Sequence, residues 1–412
     1  MTPWLDIIGI GEDGVAGLSS GARTALEQAE TIIGGERHHA LTPDIKANRI
    51  AWPHPFGALI HEITSRRGKR LVILATGDPL WYSIGARIAH AIPPTEITYH
   101  PQLSAFQWAA ARMGWSLADT ETLTAHGRPT EQVIPWFWPG ARLLVLTAGA
   151  ETPGEVARLL ADRGYGTSEM TVLGALGGPT ETRFEAEAIT WANSDPAEIL
   201  PAFNTLAINC KGRPEHPLGR TPGLMDDAFT HDGKMTKRTV RAATLARLMP
   251  ARGAVLWDIG IGCGSVAIEW MRAAPDTIAL GLDPNTERLA IARENALNLG
   301  APRLELMQAS APEGLDHIPA PEGTKPDLRR PDAVFIGGGL SEDTFERCWA
   351  ALREGGRLVA NAVTLQSETV LLALYAKHGG ELSRIQTATA SPVGGLSGWR
   401  PAMAVTQWAL IK

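Results

Sequence analysis

The sequence predicts an α/β protein built from two successive domains. Short apolar runs typical of buried strands alternate with longer helical stretches, which is the pattern of sheets flanked by helices. The alternation stops at a proline- and glycine-rich segment near the middle of the chain and then begins again. A length of 412 residues with 44% hydrophobic content agrees with two or three globular domains.

In the first half, seven apolar runs are predicted to be strands. They span residues 4–10, 31–34, 71–75, 97–99, 142–147, 171–175 and 205–209. Several end directly in glycine, aspartate or threonine, as strands do where they open into loops. The alternation with helical stretches favours parallel pairing.

The segment 211–223 is predicted to be a linker. It reads K-G-R-P-E-H-P-L-G-R-T-P-G, with three prolines and three glycines and no period. The predicted domains are therefore 1–210 and 224–412. In the second domain, strands are expected at 255–259, 278–283, 333–336 and 358–362, and helices at 265–273 and 284–299.

Composition excludes several classes of protein. The chain carries 38 basic and 44 acidic residues, so it lacks the overall positive charge with which proteins bind nucleic acid. Its three cysteines are too few for a disulfide framework and indicate a reducing compartment. The first ten residues lack a basic start and contain Asp6, and no run approaches the length of a membrane span. We therefore expect no membrane association and a cytoplasmic location.

The clearest local signal is the segment L-W-D-I-G-I-G-C-G-S at 256–265. A strand runs into a loop with Gly260, Gly262 and Gly264, after which an apolar helix begins. Glycine at these positions lets the backbone turn sharply and lets a ligand approach without meeting a Cβ atom. Asp283 ends the next strand, where its carboxylate can accept two hydrogen bonds from a ribose diol.

Two ligands suit this loop, a dinucleotide or S-adenosylmethionine. The dinucleotide fingerprint G-x-G-x-x-G needs a glycine where this chain has Ser265. The alternate glycine spacing after an acidic strand end is typical of class I methyltransferases, so we favour S-adenosylmethionine. A nicotinamide oxidoreductase and a glycine-rich turn without a ligand remain the alternatives.

The first domain has a second candidate loop after the strand at 71–75. The sequence A-T-G-D-P-L-W-Y follows it, and Asp78 is held next to the rigid Pro79, where it can bind a ribose or an amino group. Arg37, His126 and Arg128 are candidates for contacts with substrate carboxylates. The histidines of this domain lack metal-ligand spacing, so no metal site is predicted.

Together these motifs resemble two enzyme families over nearly the whole chain. The first domain is similar to the tetrapyrrole methylases, in particular the precorrin-6Y branch, through I-G-I-G-E-D-G at 8–14, G-G-E-R-H at 34–38, A-T-G-D-P-L-W-Y at 75–82, L-S-A-F at 103–106 and A-H-G-R at 125–128. The second resembles the precorrin-8w decarboxylase or methyltransferase family through H-D-G-K-M-T-K-R at 231–238, D-I-G-I-G-C-G-S at 258–265, S-A-P at 310–312, F-I-G-G-G at 335–339 and L-V-A-N-A-V-T-L at 358–365. In this order the pair resembles the fused precorrin-6Y C(5,15)-methyltransferase (decarboxylating) family.

The resemblance implies a two-lobed tetrapyrrole methylase fold followed by a class I, Rossmann-like methyltransferase domain, with one S-adenosylmethionine site in each. In the first domain it assigns the cofactor site to Gly77, Asp78, Trp81, Ser104 and Ala105. In the second it assigns the site to Thr236, Gly260, Gly262, Gly264, Asp283 and Ala311. No catalytic acid or base is assigned.

The implied reaction methylates carbons 5 and 15 of a precorrin-6 type tetrapyrrole and removes carbon dioxide from the ring C acetate, in cobalamin biosynthesis. The resemblance gives carbon 5 to the first domain and carbon 15 with the decarboxylation to the second. The substrate carries many carboxylates, so a basic lining is expected from Lys234, Lys237, Arg238 and Arg241. Both families tend to form homo-oligomers. The alternative is a single class I methyltransferase with an N-terminal tetrapyrrole-binding module.

Overall fold

The computed structural model describes residues 3–194, 196–321 and 327–412. The chain divides into two units, Met1–Glu215 and His216–Lys412. The division between them falls inside the predicted linker at 211–223. No helix in the described ranges is long and apolar enough to span a bilayer.

The first unit begins with an all-parallel sheet. Its strands are β1 (Leu5–Ile10), β2 (Thr31–Ile33), β3 (Asn48–Ile50), β4 (Leu71–Thr76) and β5 (Ile97–His100), in the order β3-β2-β4-β1-β5. The accompanying helices are α1 (Ser20–Glu27), α2 (Glu36–Ala40), α3 (Leu59–Thr64) and α4 (Ile84–Ala89). Parallel pairing brings the carboxyl ends of β1, β4 and β5 to one edge of the sheet, where ligands bind in open α/β sheets.

The second sheet of this unit is mixed. Its strands are β6 (Glu121–Thr124), β7 (Arg142–Leu146), β8 (Glu169–Gly174), β9 (Thr182–Glu187) and β10 (Asn204–Asn209), in the order β6-β7-β10-β8-β9. Helices α5 (Ala105–Met113), α6 (Thr152–Ala161) and α7 (Ala188–Ala192) accompany them. Only β6 and β7 pair in parallel, so the prediction of parallel pairing is wrong for the rest of this sheet. The connection from β8 to β9 is too short for a parallel crossover and forms a hairpin instead.

The second unit contains one large sheet. Its strands are β11 (Val255–Ile259), β12 (Ile278–Asp283), β13 (Glu305–Gln308), β14 (Ala333–Ile336), β15 (Arg357–Ala362), β16 (Glu381–Ile385) and β19 (Val405–Ile411), in the order β13-β12-β11-β14-β15-β19-β16. Strands β11 to β15 are parallel, and β19 is antiparallel to both of its neighbours. Strands β17 (Ala388–Val393) and β18 (Leu396–Pro401) form a separate hairpin.

The helices of the second unit are α8 (Arg238–Leu248), α9 (Ser265–Ala273), α10 (Thr286–Asn298), α11 (Glu342–Ala351) and α12 (Leu365–His378). Local chemistry explains where they begin. The backbone N–H groups of Glu287 and Arg288 donate to the Asn285 side chain at the start of α10, and Gly264 with φ of +82° precedes α9. This Rossmann-like arrangement again places the parallel strand ends at one edge, and the glycine loop follows β11 there.

Candidate functional site

The glycine loop of the second unit packs closely against a neighbouring turn. Gly260 has φ of +72°, and a Cβ atom there would lie 2.9 Å from the backbone nitrogen of Gly338. The loop after β11 therefore touches the glycine turn after β14, which no larger residue at position 260 would allow. Gly264, also at positive φ, faces Ile268 and Ala292 and lets α9 begin directly after the loop.

Gly262 occupies a more open place in the same loop. Its φ is +56°, and the nearest atom to a Cβ built there is the carbonyl oxygen of Lys234, at 3.7 Å. The N–H of Gly262 donates to Oδ2 of Asp283 over 3.1 Å. A side chain at position 262 would thus be in van der Waals contact with the Lys234 backbone, so the loop after β11 and the segment around residue 234 lie next to each other.

Asp283 lies at the end of β12, beside the loop. Its side chain is 3% exposed, and Oδ1 accepts the Asn285 N–H over 2.9 Å while Oδ2 accepts that of Gly262. These two bonds fix the carboxylate and leave further lone pairs on both oxygens. The geometry suits the role predicted for Asp283 as an acceptor for a ribose diol.

A second buried carboxylate, Asp258, ends β11 immediately before the loop. Its Oδ2 accepts the Ala267 N–H over 3.1 Å, whereas its Oδ1 has no hydrogen-bond partner among the described residues. Burial, opposed by the Ala267 N–H and assisted by the negative charge of Asp283, raises the pKa of Asp258 to about 7. Oδ1 is enclosed by the protein, so only the charge of Asp258, together with that of Asp283, can act on a ligand. Two carboxylates near the loop favour a cationic ligand such as S-adenosylmethionine over the pyrophosphate of a dinucleotide.

The remaining second-unit residues predicted for the cofactor site lie on flanking segments. The carbonyl of Thr236 accepts a hydrogen bond of 2.6 Å from Arg241. Ala311 is half-buried and packs against the hydrophobic cluster that contains Leu282. Just upstream, the Ala309 N–H donates to the Asp283 carbonyl over 3.3 Å, which places the start of this segment beside β12.

The structure corrects the role predicted for Arg241. Its side chain is 0% exposed and forms an ion pair of 2.5 Å with Glu269, which is 1% exposed. Its other N–H groups donate to Asp226 and to the carbonyls of Leu224 and Thr236. The guanidinium is therefore buried and bound to partners inside the unit, and it is not available to substrate carboxylates.

The other basic candidates of the second unit lie on the surface. Lys234, Lys237 and Arg238 are exposed. Arg238 donates to the Gly223 carbonyl over 2.6 Å, and the Lys237 ammonium lies 3.9 Å from the Asp226 carboxylate. Lys234 is the nearest of the three to the glycine loop, because its carbonyl faces Gly262.

In the first unit, three loops meet at the shared edge of β1, β4 and β5. Gly77 has φ of +61°, its N–H donates to the Ile10 carbonyl over 3.1 Å, and a Cβ atom on it would lie 2.9 Å from Cα of Ser104. A Cβ atom on Gly9 would lie only 2.0 Å from the carbonyl oxygen of Gly77. The strand ends approach so closely that only glycine fits at both positions.

The residues predicted for the first cofactor site surround this contact. Oδ1 of Asp78 accepts the Leu80 N–H over 2.7 Å. Ser104 caps α5 by accepting the Phe106 N–H over 3.2 Å, and Ala105 is the first residue of that helix. The rings of Trp81 and Phe106 lie 5.1 Å apart, so the loop after β4 packs on α5. The structure thus brings Gly77, Trp81, Ser104 and Ala105 together, with Asp78 next to Gly77.

The candidates for carboxylate contacts in the first unit are spread more widely. Arg37 forms an ion pair with Glu12, donates to Thr76 over 2.6 Å and lies 4.2 Å from the centre of the Phe203 ring. His126 is exposed, with Nδ1 3.3 Å from the Thr147 carbonyl. The Arg128 guanidinium lies 5.7 Å from the centre of the Tyr82 ring. The positive charge of Arg37 is therefore largely balanced inside the protein.

Sequence reasoning omitted several residues from the sites. Asp258 was visible as the acid before the glycine loop but was not assigned a ligand. His38 is 8% exposed and lies 2.9 Å from Thr76 at the end of β4. Glu269 and Asn295 have no local signature, because their partners lie far away along the chain.

Comparison with known proteins adds evidence independent of this geometry. Residues 5–189 match the family of tetrapyrrole (corrin/porphyrin) methylases, and residues 227–412 match the precorrin methyltransferase domain. A precorrin-6Y C(5,15)-methyltransferase [decarboxylating] from Sinorhizobium sp is 42% identical over 417 residues, which cover 100% of this chain and 97% of the relative.

Two shorter relatives carry one activity each in their names. A cobalt-precorrin-7 C(5)-methyltransferase from Salmonella typhimurium is 32% identical over 41% of this chain and 83% of its own length. A protein named as a probable cobalt-precorrin-6B C(15)-methyltransferase (decarboxylating) from Pyrobaculum calidifontis is 34% identical over 36% of this chain and 73% of its own length. The likeness to the Sinorhizobium protein spans both units. The chain therefore belongs to the precorrin-6Y C(5,15)-methyltransferase (decarboxylating) family.

Proposed function

We propose that this chain is an S-adenosylmethionine-dependent C-methyltransferase of cobalamin biosynthesis that methylates a precorrin-6 type tetrapyrrole at carbons 5 and 15 and decarboxylates its ring C acetate. The observation that carries the proposal is the pair of glycine-lined strand edges, one in each unit, at Gly77 and at Gly262. Membership of the family supports the substrate class.

Each unit would hold one molecule of S-adenosylmethionine. In the second unit, Asp283 would bind the ribose, Asp258 would add negative charge near the loop, and the glycine loop would lie against the ligand. In the first unit, the loop of Gly77 and the start of α5 at Ser104 would form the site. The cofactor supplies an activated methyl group, so the protein's main task is to orient it towards the carbon that receives it.

We assign carbon 5 to the first unit and carbon 15 with the decarboxylation to the second. The single-activity relatives match 170 and 152 residues, each within the size of one unit. The tetrapyrrole methylase model matches the first unit and the precorrin methyltransferase model the second. The macrocycle itself provides the driving chemistry, since a conjugated imine can accept the electrons released as carbon dioxide leaves.

Calorimetric titration with S-adenosylhomocysteine tests the number of sites. We expect two sites per chain, of which Asp283→Ala removes one. A single site that disappears in Asp283→Ala would instead support one class I methyltransferase joined to a tetrapyrrole-binding module.

Product analysis tests the assignment of the reactions to the two units. With a precorrin-6 type substrate, Asp283→Ala should release no carbon dioxide and should leave the ring C acetate intact by NMR. Continued release of carbon dioxide by this variant would assign decarboxylation elsewhere.

A further inference from the structure

A buried asparagine in the second unit joins two backbone segments that lie far apart in sequence. Asn295, on α10, is 2% exposed. Its Oδ1 accepts the Thr230 N–H over 2.9 Å, and its Nδ2 donates to the Thr230 carbonyl over 2.8 Å and to the Cys263 carbonyl over 2.9 Å. One side chain thus holds both residue 230 and the middle of the glycine loop.

The segment from Thr230 to Thr236, here called the cover segment, is anchored at both ends. Asn295 holds Thr230, and the buried Arg241 donates to the Thr236 carbonyl. Between them, Asp232 forms an ion pair of 2.8 Å with Arg288 of α10. These contacts place the Lys234 carbonyl 3.7 Å from the Cβ position of Gly262, so the cover segment lies in direct contact range of the glycine loop.

We propose that Asn295 is a positioning residue that shapes the second S-adenosylmethionine site by fixing the cover segment against the glycine loop. This inference rests on the proposed function of that loop. Asn295 itself touches neither ligand nor substrate in this scheme, because its amide is fully used by protein backbone.

The chemistry of the contact requires an amide. Both Nδ2 hydrogens are donated and Oδ1 accepts, so the side chain pairs with Thr230 as a neighbouring strand would. Aspartate has nearly the same shape but would set a carboxylate oxygen against the carbonyls of Thr230 and Cys263. Serine is too short to reach both segments. Either change should release the cover segment from the loop, while the packing of α10 should stay the same.

The test compares Asn295→Asp with Asn298→Asp in the full chain. Asn298 is exposed and lies on the same helix, so its variant adds the same charge at the helix surface. Titration with S-adenosylhomocysteine should show at least tenfold weaker binding in Asn295→Asp at the site that Asp283→Ala removes. The other site, and both sites of Asn298→Asp, should keep the affinity of the wild type.

Hydrogen exchange without ligand gives a second readout that a purely structural role would not produce. In Asn295→Asp, amides at 230–236 should exchange faster than in Asn298→Asp, with exchange in β11 and β12 unchanged. If Asn295→Asp fails to fold, Asn295→Ser takes its place in both measurements.

Two results would overturn the inference. The first is unchanged affinity at the second site together with a lowered melting temperature, which would make Asn295 a residue of stability alone. The second is an Asp283→Ala variant that binds S-adenosylhomocysteine at as many sites as the wild type, which would remove the proposed second cofactor site and this inference with it. Loss of one site in Asp283→Ala distinguishes the first failure from the second.

Discussion

At the scale of single residues, Asp258 shows how burial changes the acidity of a carboxylate. Its pKa of about 7 means that the folded unit binds a proton more tightly than the unfolded chain between pH 3.8 and pH 7. The contribution of Asp258 to stability therefore falls as pH rises through that window. A positively charged ligand near Asp258 would favour the ionised carboxylate and would therefore oppose this loss of stability at higher pH.

Asp258→Asn should stabilise the ligand-free second unit at pH 8, by roughly 1–3 kcal/mol, because the amide oxygen can still accept the Ala267 N–H without a buried charge. The gain should be smaller at pH 5, where the wild-type carboxyl is protonated. Urea unfolding at both pH values measures this. Equal effects at pH 5 and pH 8 would contradict the assignment.

In the first unit, His38 has the opposite effect on the pH dependence of stability. Nδ1 lies 3.2 Å from the Gly35 N–H, and burial, with smaller effects of Arg37 and His39, lowers the pKa of His38 to about 4. The unfolded chain binds the proton more readily below pH 6.5, so stability is lost as pH falls from 6.5 towards 4.

His38→Asn should therefore weaken the acid sensitivity of the first unit. Between pH 6.5 and pH 5 the wild type should lose about 2 kcal/mol more than the variant. Urea unfolding at the two pH values checks this, with His90→Asn as the exposed control. If both variants keep the wild-type pH dependence, His38 is not the titrating group.

At the scale of elements, the ion pair of Arg241 and Glu269 connects α8 to α9. Glu269 also accepts the N–H groups of Gly223 and Leu224, so the pair ties the start of the second unit to the helix that follows the glycine loop. A buried charge left without its partner is costly.

Arg241→Met should destabilise the second unit by about 3–5 kcal/mol, because it leaves the Glu269 carboxylate buried and unpaired. Adding Glu269→Leu should recover part of this loss. Denaturant unfolding of the single and double variants measures the difference. A double variant less stable than the sum of the two single changes would show that the pair is not the source of the effect.

The glycine contact between β1 and β4 supplies a second test at this scale. Gly9→Ala places a methyl group on the Gly77 carbonyl and should cost about 1–3 kcal/mol in stability of the first unit. The same change should weaken the first S-adenosylhomocysteine site. Gly21→Ala, in α1 with nothing within 4 Å of its Cβ position, is the matched control and should stabilise by roughly 0.5–1 kcal/mol. Equal melting temperatures for both variants would refute the close contact.

At the scale of the whole molecule, each unit has hydrophobic clusters of its own. We expect calorimetric unfolding to show two transitions, both raised by S-adenosylhomocysteine. At a hundredfold excess over the dissociation constant, the stabilisation should be about 2.7 kcal/mol per site. Asp283→Ala should abolish the shift of one transition only. Loss of both shifts would mean that the sites are not independent.

Much of the fold could be predicted from the sequence because local residue patterns indicate where strands and helices begin and end. Strands β11, β12 and β14 and helix α9 have the predicted bounds, since apolar runs ending in glycine or aspartate report both burial and strand ends. Eight strands of the described ranges were not predicted: β3, β6, β9, β13, β16, β17, β18 and β19. Most of them, such as β3, β13 and β16, are half-buried or exposed and have no apolar run, whereas β19 is largely buried. The second sheet of the first unit was expected to be parallel, because alternation along the chain does not reveal strand direction.

The division into two units, the glycine loops and the family could be read from the sequence, because each depends on residues close together in the chain. The burial of Arg241 against Glu269 and the bridge from Asn295 to Thr230 and Cys263 became visible only in the folded structure. These partners are separated by 28, 65 and 32 residues. Contacts over such distances depend on how helices pack on the sheet, and no local pattern of charge or hydrophobicity specifies that packing.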